Sequence, residues 1–164
     1  MTDVLPQMNM KAIIMDLDNC LWDATMLDQY LPMDYTSREQ WRTFEVHYPE
    51  VIPHQWAINL VNAYRSMGYC ILFVTSREDV DNCKGTTISS IHKALDGNLN
   101  NIWLFMRRAH ERGESQVVKE RIYNDEIKGN FDVELAIDDD AKNCELFTRL
   151  GIPTLQKILK KEIN

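Results

Sequence analysis

Two pairs of carboxylates occur in this sequence directly after short apolar runs. Asp16 and Asp18 follow the first such run, and Asp138 and Asp139 follow a later one. Carboxylates two residues apart point the same way from an extended strand. If the two pairs meet, their like charges disfavour ionisation unless a cation neutralises them. Because all the donors are oxygen atoms and no histidine is near, the pattern predicts a site for a hard cation, Mg²⁺.

A hydroxyl and an ammonium group would complement such a site. Thr75 ends another apolar run and precedes Ser76 and Arg77, and Lys119 lies near the start of a helical segment. Both groups suit the binding of a phosphate. Each feature alone has a simpler interpretation, since an Asp after a strand is often a helix N-cap and Thr-Ser-Arg is an ordinary turn. The combination favours a phosphate site with a metal ion.

Elements with two different periodicities alternate along the chain and must position these groups. Four β-type runs cover residues 12–17, 71–75, 102–106 and 133–137, and apolar stripes at helical spacing cover 56–67, 88–95, 118–123 and 141–150. This alternation predicts an α/β three-layer sandwich with a mostly parallel, Rossmann-like sheet, with 154–156 as a last edge strand. In such a sheet the ligand site lies at the carboxyl ends of the strands.

The segment between the first strand and its crossover helix is unusually aromatic. Seven of the fifteen aromatic residues of the chain lie between Trp22 and Trp56. We expect a small helical lid at about residues 22–55, inserted after the first strand, within a single domain that covers residues 1–164. A helix is predicted near residues 37–46, started by the Ser37 cap. The aromatic rings would either stack a terminal base of the substrate or form the lid's own small core.

Composition excludes several other classes of protein. Hydrophobic residues make up 45% and charged residues 26% of the 164 residues, which is typical of a folded globular chain and not of a disordered or coiled-coil one. No apolar run approaches the length of a bilayer span, and no signal peptide is expected, so we expect a cytoplasmic protein. The four cysteines are scattered, which indicates reduced thiols without a disulfide or a zinc site. The net charge of −7 excludes a global electropositive field but not a local basic groove.

The order of these motifs resembles that of the haloacid dehalogenase-like phosphohydrolases. The matching positions are the Asp-x-Asp pair at 16 and 18, Thr75, Lys119 and Asp138-Asp139. A closer resemblance, over about residues 56–157, is to the 3′-phosphatase domains of phage polynucleotide kinase-phosphatases. It runs through Met67-Gly68-Tyr69, Val74-Thr75-Ser76-Arg77-Glu78, Val117-Val118-Lys119-Glu120 and the stretch 131–139. No G-x-x-x-x-G-K-[ST] kinase motif occurs.

This resemblance implies a mechanism with two steps. Asp16 would attack phosphorus and form an aspartyl-phosphate, and Asp18 would protonate the leaving oxygen and then activate water. Thr75 and neighbouring amides would bind phosphoryl oxygens, while Lys119 would stabilise the charge on nucleophile and phosphate. The implied Mg²⁺ ligands are Asp16, the backbone carbonyl of Asp18, Asp138 and, directly or through water, Asp139.

The sequence departs from the family pattern at three places. Asn19 and Cys20 stand where Gly-Thr is common, Ser115 and Gln116 stand where an Asp usually precedes the motif lysine, and no arginine occurs near Leu27. A cysteine nucleophile is the rival interpretation of Cys20, but no histidine partners it in the motif. The changes bear on the substrate more than on the chemistry.

The basic residues after the third strand point to the substrate. Arg107, Arg108, His110 and Arg112 lie at the edge expected to carry the site, and with Arg77 and Lys119 they would form a strip that tracks phosphates. The other interpretation is a solvated loop, offset by Glu111 and Glu114. The predicted substrate-binding residues are Arg77 and Arg107 of this strip, together with Ser76.

Three functions are therefore compared. The first is a Mg²⁺-dependent phosphatase acting on 3′-phosphate ends of DNA or RNA, in host cytoplasm if the chain is phage-encoded. The second is a phosphatase of free nucleotides or another small phosphoester. The third is a phospho-accepting signalling receiver, which also uses Asp, Thr or Ser, Lys and Mg²⁺. In receivers the lysine comes last, whereas here Lys119 precedes Asp138, and Asp18 supplies an acid that receivers lack. The sequence leaves the oligomeric state open.

Overall fold

Five parallel strands form the centre of the structure, a computed structural model that describes residues 9–158. The elements in chain order are β1 (Met10–Met15), β2 (Trp22–Asp23), α1 (Arg38–Glu45), β3 (Ile52–Pro53), α2 (Gln55–Ser66), β4 (Cys70–Glu78), α3 (Asp81–Ala94), β5 (Ile102–Arg107), α4 (Ser115–Ile122), β6 (Phe131–Asp138), α5 (Ala141–Arg149) and β7 (Thr154–Gln156). The strand order in the main sheet is β5-β4-β1-β6-β7. This confirms the predicted α/β class and the mostly parallel sheet.

Helices cover both faces of the sheet. On one face Ile13 and Met15 of β1 pack with Val61 of α2 and Ile91 of α3. On the other face the alternate residues of β1, with Ile14 among them, pack with side chains of α4 and α5. The part of β1 that is buried on both faces, from Ala12 to Met15, is accordingly a continuous apolar run. The three-layer arrangement is therefore present as predicted.

The strand order decides which polar residues meet. β1 pairs in parallel with β4 on one side and with β6 on the other. The carboxyl ends of these three strands consequently lie at the same edge of the sheet. Asp16 follows β1 there, Asp138 ends β6, and Thr75 lies where the regular pairing of β4 with β5 stops.

One strand is longer than predicted. β4 continues to Glu78, beyond the expected end at Thr75, because after an irregular stretch Glu78 pairs with Arg107 of β5. A second difference follows α4, where residues Tyr123–Ile127 form a turn of π-helix that the apolar periodicity did not indicate.

The insert, residues 22–54, leaves the end of β1 and returns to the start of α2. Its two ends are joined by the antiparallel pair β2 and β3. Between them lie 3-10 turns at Thr25–Tyr30 and Tyr48–Glu50 and the helix α1. The Ser37 side chain accepts a hydrogen bond from the Gln40 backbone N–H, as expected of an N-cap. The helix predicted at residues 37–46 is therefore confirmed.

Three observations concern the remaining predictions from composition. None of the helices within residues 9–158 combines the length and the apolar character that a membrane crossing requires. The thiols of all four cysteines are free. The expected absence of a signal peptide concerns the first residues of the chain, which lie outside the described range.

Candidate active site

A buried lysine joins two carboxylates at the edge of the sheet. Lys119 Nζ lies 2.5 Å from Asp16 Oδ1 and 2.6 Å from Asp138 Oδ2. Lys119 reaches them from α4, and only 2% of its side chain is exposed. The structure thus brings together three groups that are far apart in the sequence, at the edge where the topology of the strands places them.

The charges of this cluster do not balance. Asp16, Asp138 and the adjacent Asp139 carry three negative charges, and Lys119 supplies one positive charge. Burial alone would lower the pKa of Lys119, but the two carboxylates outweigh it and raise that pKa. Burial raises the pKa of Asp16 well above its ordinary value, and Asp138 adds to this effect. Burial and Asp138 also raise the pKa of Asp139. A divalent cation would neutralise the excess of about two negative charges.

The donor atoms that could hold such an ion lie close together. One carboxylate oxygen each of Asp16 and Asp139 and the Cys20 sulfur are all within 4.8 Å of one another. Asp138 already accepts more hydrogen bonds, since its Oδ1 accepts one from the Asn143 side chain and one from the backbone N–H of Asp140. The carboxylates of the cluster fit a metal ion, with Asp16 and Asp139 as its side-chain ligands of easiest access.

Cys20 is a thiol in this cluster. Burial, and then the charge of Asp16, raise the pKa of the Cys20 thiol, so the group is neutral at ordinary pH. Because the thiolate is the nucleophilic form of cysteine, this environment disfavours a cysteine nucleophile. Cys20 is fully buried, and its sulfur lies within 4.8 Å of a carboxylate oxygen of Asp16.

Asp18 is held by a different cation. Arg77 donates from Nε to Asp18 Oδ2 at 2.9 Å and from Nη2 to Asp18 Oδ1 at 2.6 Å. The Trp22 indole N–H also donates to Oδ1, at 3.0 Å. Burial alone would raise the pKa of Asp18, but the Arg77 charge and these hydrogen bonds outweigh it and lower that pKa. Arg77, predicted as a substrate-binding residue, thus lies in a buried ion pair inside the protein.

The hydroxyls of the predicted phosphate site lie in the last part of β4. Thr75 is buried, and its Oγ1 accepts from the backbone N–H of Arg77 at 3.2 Å. Ser76 Oγ lies 2.7 Å from Ser115 Oγ at the start of α4. Both threonine and serine line the same cleft as Asp16 and Lys119. Phosphate binding by these two hydroxyls stays a prediction.

The predicted strip of arginines divides into two parts. Arg107 lines the cleft, and its guanidinium donates to the backbone carbonyls of Ser76, Glu111 and Gly113. It fastens the loop after β5 to the end of β4. Arg108 instead forms an exposed ion pair with Asp125 and does not line the cleft. Arg112 is exposed and lines the cleft.

The cleft has a volume of about 1090 Å³, which is more than a phosphate group needs. One wall comes from the insert through Tyr35, Trp41, Phe44 and Tyr48. Trp41 and Tyr48 each meet the Phe44 ring edge to face, at centroid distances of 5.3 and 5.6 Å. These contacts show that part of the aromatic set forms the insert's own core, while Tyr35 is mostly exposed.

Two residues of the site were absent from the sequence-based prediction. Asn143 donates to both Asp138 and Ser115, and its Oδ1 is buried without a hydrogen-bond partner within residues 9–158. Its place three residues after the Asp140 N-cap is a signal that could have indicated it. Trp22 gave no comparable signal, although its contact with Asp18 is local: the chain turns directly after β1, and the Trp22 backbone N–H donates to the Leu17 carbonyl at 3.3 Å.

The fold is shared with solved structures of low sequence identity. Over 94% of this chain and 48% of the other, it superposes on a chain of a Pnkp1/Rnl/Hen1 complex with a TM-score of 0.72 and 19% identity. It also resembles a class C acid phosphatase from Bacillus anthracis (TM-score 0.57, 17% identity, 83% of this chain and 54% of the other). A phosphoserine phosphatase is similar as well (TM-score 0.52, 15% identity, 86% and 83%). The chain spans about half the length of the Pnkp1-complex chain.

A family profile covers almost the whole described range. The profile of the polynucleotide kinase PNKP phosphatase domain matches residues 10–158, from the start of β1 to beyond β7. That span contains every residue of the buried cluster around Lys119. On this basis the chain is a haloacid dehalogenase-like phosphatase and belongs to the family of PNKP phosphatase domains.

Proposed function

We propose that this protein is a Mg²⁺-dependent phosphatase that removes 3′-phosphates from nucleic-acid ends through an aspartyl-phosphate on Asp16. The observation that carries the proposal is the pair of aspartates on one strand end with opposite surroundings. Asp16 is bonded to the buried Lys119, whereas Asp18 is held by Arg77 and faces the same cleft. Two carboxylates with different partners suit two different roles: Lys119 orients Asp16 as the nucleophile, and Asp18 carries protons to and from the cleft.

In the first step an Asp16 carboxylate oxygen attacks the phosphorus of the bound monoester. A bond forms between Asp16 and phosphorus, and the ester P–O bond breaks. Asp18 is ionised beside Arg77 in the free protein; it takes the proton of the monoanionic ester when the substrate binds and gives it to the leaving oxygen. Lys119 keeps the nucleophile oriented and offsets the negative charge that collects beside it. The Thr75 hydroxyl and nearby backbone N–H groups would bind the phosphoryl oxygens.

In the second step the acid becomes a base. Asp18, now ionised, takes a proton from a water molecule, whose oxygen attacks phosphorus. The bond between phosphorus and Asp16 breaks, inorganic phosphate leaves, and both aspartates return to their starting states. Arg77 keeps Asp18 in place between the two steps, because its two N–H groups occupy one edge of the carboxylate.

Asp16 and Asp139 would hold the Mg²⁺ ion, together with the Asp18 backbone carbonyl and with Asp138 behind them. When bound, the ion would offset the negative charge of the carboxylates and of the phosphoryl group and so allow them to approach. The oxygen donors and the excess negative charge of the cluster both suit a hard divalent ion.

The substrate class rests on the family and on the shape of the cleft. The family is named for polynucleotide kinase, and a structural relative comes from a complex described as one of RNA repair. The cleft is large enough for a nucleotide as well as its phosphate, and its entrance carries the exposed arginine Arg112. A nucleic-acid end is therefore our preferred substrate. The protein would act in the cytoplasm, where its cysteines stay reduced.

A second candidate is a phosphatase of free nucleotides. Two acidic residues of the cleft away from the metal cluster favour it, namely Asp28 and Glu45. The charges of two others, Glu111 and Glu114, are offset by ion pairs with Arg121 and Lys142. Negative charges at Asp28 and Glu45 would repel the additional phosphates of a polynucleotide. They would affect a mononucleotide, which has a single phosphate, much less.

The test compares five substrates with the same preparation of enzyme. These are an oligonucleotide with a 3′-phosphate, the same oligonucleotide with a 5′-phosphate, a nucleoside 3′-monophosphate, a nucleoside 5′-monophosphate and an aryl phosphate. Release of inorganic phosphate is measured with Mg²⁺ and with EDTA, and Asp16→Asn serves as the control for contaminating phosphatases. We expect the highest kcat/KM for the 3′-phosphorylated oligonucleotide, and only with Mg²⁺. Higher kcat/KM for a mononucleotide would transfer the assignment to the second candidate.

A further inference from the structure

Tyr48 of the insert covers the cation that holds Asp18. The Arg77 guanidinium carbon lies 3.5 Å from the centroid of the Tyr48 ring, so the two groups are in face contact. The Trp22 ring lies 4.9 Å from the same carbon. Both aromatic side chains are almost completely buried. A cation on an aromatic face is held more strongly where water is excluded.

The edge of the Arg77 guanidinium is occupied as well. Two of its nitrogens donate to Asp18, and the third donates to the Thr87 hydroxyl of α3 at 3.2 Å. Hydrogen bonds therefore fix the guanidinium within its plane, and the Tyr48 ring fixes the tilt of that plane. The direction of the two N–H groups, and with it the position of the Asp18 carboxylate, depends on both.

We propose that Tyr48 is a positioning residue for the phosphatase reaction. Its ring fixes the tilt of the Arg77 guanidinium plane, and Arg77 in turn orients Asp18 as the proton donor to the leaving oxygen. This inference rests on the proposed function. It gives the insert a part in the chemistry besides forming a wall of the cleft. The face of the ring, and not the hydroxyl, carries the role, because the contact with Arg77 is made by the ring.

The first test uses the leaving group. The value of kcat/KM includes only the steps up to transfer of the phosphoryl group to Asp16. Protonation by Asp18 matters in that step for phenyl phosphate and much less for para-nitrophenyl phosphate, whose leaving oxygen is a weaker base. In Tyr48→Leu we expect kcat/KM for phenyl phosphate to fall about tenfold or more, and that for para-nitrophenyl phosphate by less than about threefold.

Two variants act as matched controls. Tyr48→Phe keeps the ring, so both kcat/KM values should stay within about twofold of the wild type. Tyr30→Leu makes the same change elsewhere in the insert, where the Tyr30 ring stacks on His47 at 3.5 Å and not on Arg77. We expect its ratio of the two kcat/KM values to equal that of the wild type. An equal loss on both substrates in Tyr48→Leu would overturn the proposal, and so would a loss in Tyr48→Phe as large as in Tyr48→Leu.

The second test needs no activity. The Arg77 Nε–H group should give a resolved NMR signal, shifted by the Tyr48 ring and protected by its bond to Asp18. We expect the signal to be retained in Tyr48→Phe and Tyr30→Leu, and to move and broaden in Tyr48→Leu. An unchanged signal in Tyr48→Leu would contradict the proposal even if no phosphatase activity were found. Conversely, loss of the signal in a protein without phosphatase activity would overturn the proposed function and leave the contact established.

Discussion

The Nζ atom of Lys119 lies 2.5 Å from Oδ1 of Asp16, in a part of the protein from which water is largely excluded. This places a full positive charge directly against the proposed nucleophile. The same Nζ atom also serves Asp138 at 2.6 Å, so one cation is shared by two carboxylates while a third, Asp139, lies close by. With all of these groups ionised, the cluster has a net charge of about −2, which one divalent cation would balance.

Removal of this lysine should make the fold depend on metal. In Lys119→Met the buried carboxylates Asp16 and Asp138 lose their counter-charge, and we expect a loss of about 3–5 kcal/mol in the free energy of unfolding. Mg²⁺ should raise the melting temperature of this variant more than that of the wild type, since the ion replaces part of the lost charge. Thermal unfolding with and without Mg²⁺ measures both effects.

Lys142 provides the control for that experiment. It forms an exposed ion pair with Glu114, and its removal in Lys142→Met should leave the free energy of unfolding almost unchanged. Its response to Mg²⁺ should equal that of the wild type. If Mg²⁺ leaves the melting temperature of both the wild type and Lys119→Met unchanged, the cluster does not bind the ion.

Asp16→Asn and Asp18→Asn should both be nearly inactive, but for different reasons. Asp16→Asn has a neutral amide in place of the carboxylate nucleophile and cannot form a covalent intermediate with any substrate. Asp18→Asn keeps the nucleophile, so an aryl phosphate with a good leaving group should still phosphorylate Asp16, and the intermediate should accumulate because its hydrolysis lacks a base. Intact-protein mass spectrometry after quenching would detect the added phosphoryl group. The absence of that mass in Asp18→Asn, or its presence in Asp16→Asn, would contradict these roles.

The sequence indicated the main cluster because its two carboxylates, Asp16 and Asp138, come at the ends of strands. Asp16 and Asp138 end neighbouring parallel strands, and Lys119 lies on the helix that crosses over between β5 and β6. Once the alternation of strands and helices is read, the topology brings such residues to one edge. The Ser37 cap likewise marks the start of α1, since capping is a local interaction.

Partners chosen across the fold could not be predicted in this way. Arg77 is predicted to bind substrate because it follows an apolar run. The structure places it in the lining of the cleft and pairs its guanidinium with Asp18, 59 residues away in the sequence. Arg107 looks the same in the sequence, yet its donors are directed to backbone carbonyls of two adjoining segments. Which acceptor an arginine finds depends on the packing of loops, and apolar periodicity carries no information about that packing.

The pair of Asp18 and Arg77 predicts a dependence of stability on pH. Arg77 lowers the pKa of Asp18 in the folded state, so the pair stabilises the fold above the ordinary Asp pKa of about 4 and this contribution is lost as pH falls through the lowered value. Asp18→Asn should therefore be less stable than the wild type by about 1–3 kcal/mol near neutral pH, a range that allows for the exposed third of the Asp18 side chain.

Urea unfolding at a series of pH values tests this expectation. The difference in the free energy of unfolding should stay constant from about pH 7 to about pH 5 and shrink below about pH 4, where Asp18 becomes protonated in the unfolded chain first. A difference that grows as pH falls would have the wrong sign for a carboxylate with a lowered pKa. No difference at any pH would mean that the ion pair adds nothing to stability.

The last prediction concerns the recognition of substrate beyond the reacting phosphate. Arg112 is exposed and lines the cleft, whereas Arg108 is exposed, pairs with Asp125 and lies outside the cleft lining. If the substrate is a nucleic-acid end, Arg112 should contact phosphates that do not react, and such contacts affect KM more than kcat. We expect Arg112→Ala to raise KM for a 3′-phosphorylated oligonucleotide about three- to tenfold and to weaken the dependence of KM on salt, since one phosphate contact is lost.

In Arg108→Ala the same KM should change by less than about twofold, and neither variant should alter the hydrolysis of an aryl phosphate. Equal effects of the two substitutions would show that the protein has no directed phosphate contact at Arg112. A KM that is independent of salt in the wild type would remove the argument for a polynucleotide and favour the free-nucleotide phosphatase, whose substrate has no second phosphate for Arg112 to hold.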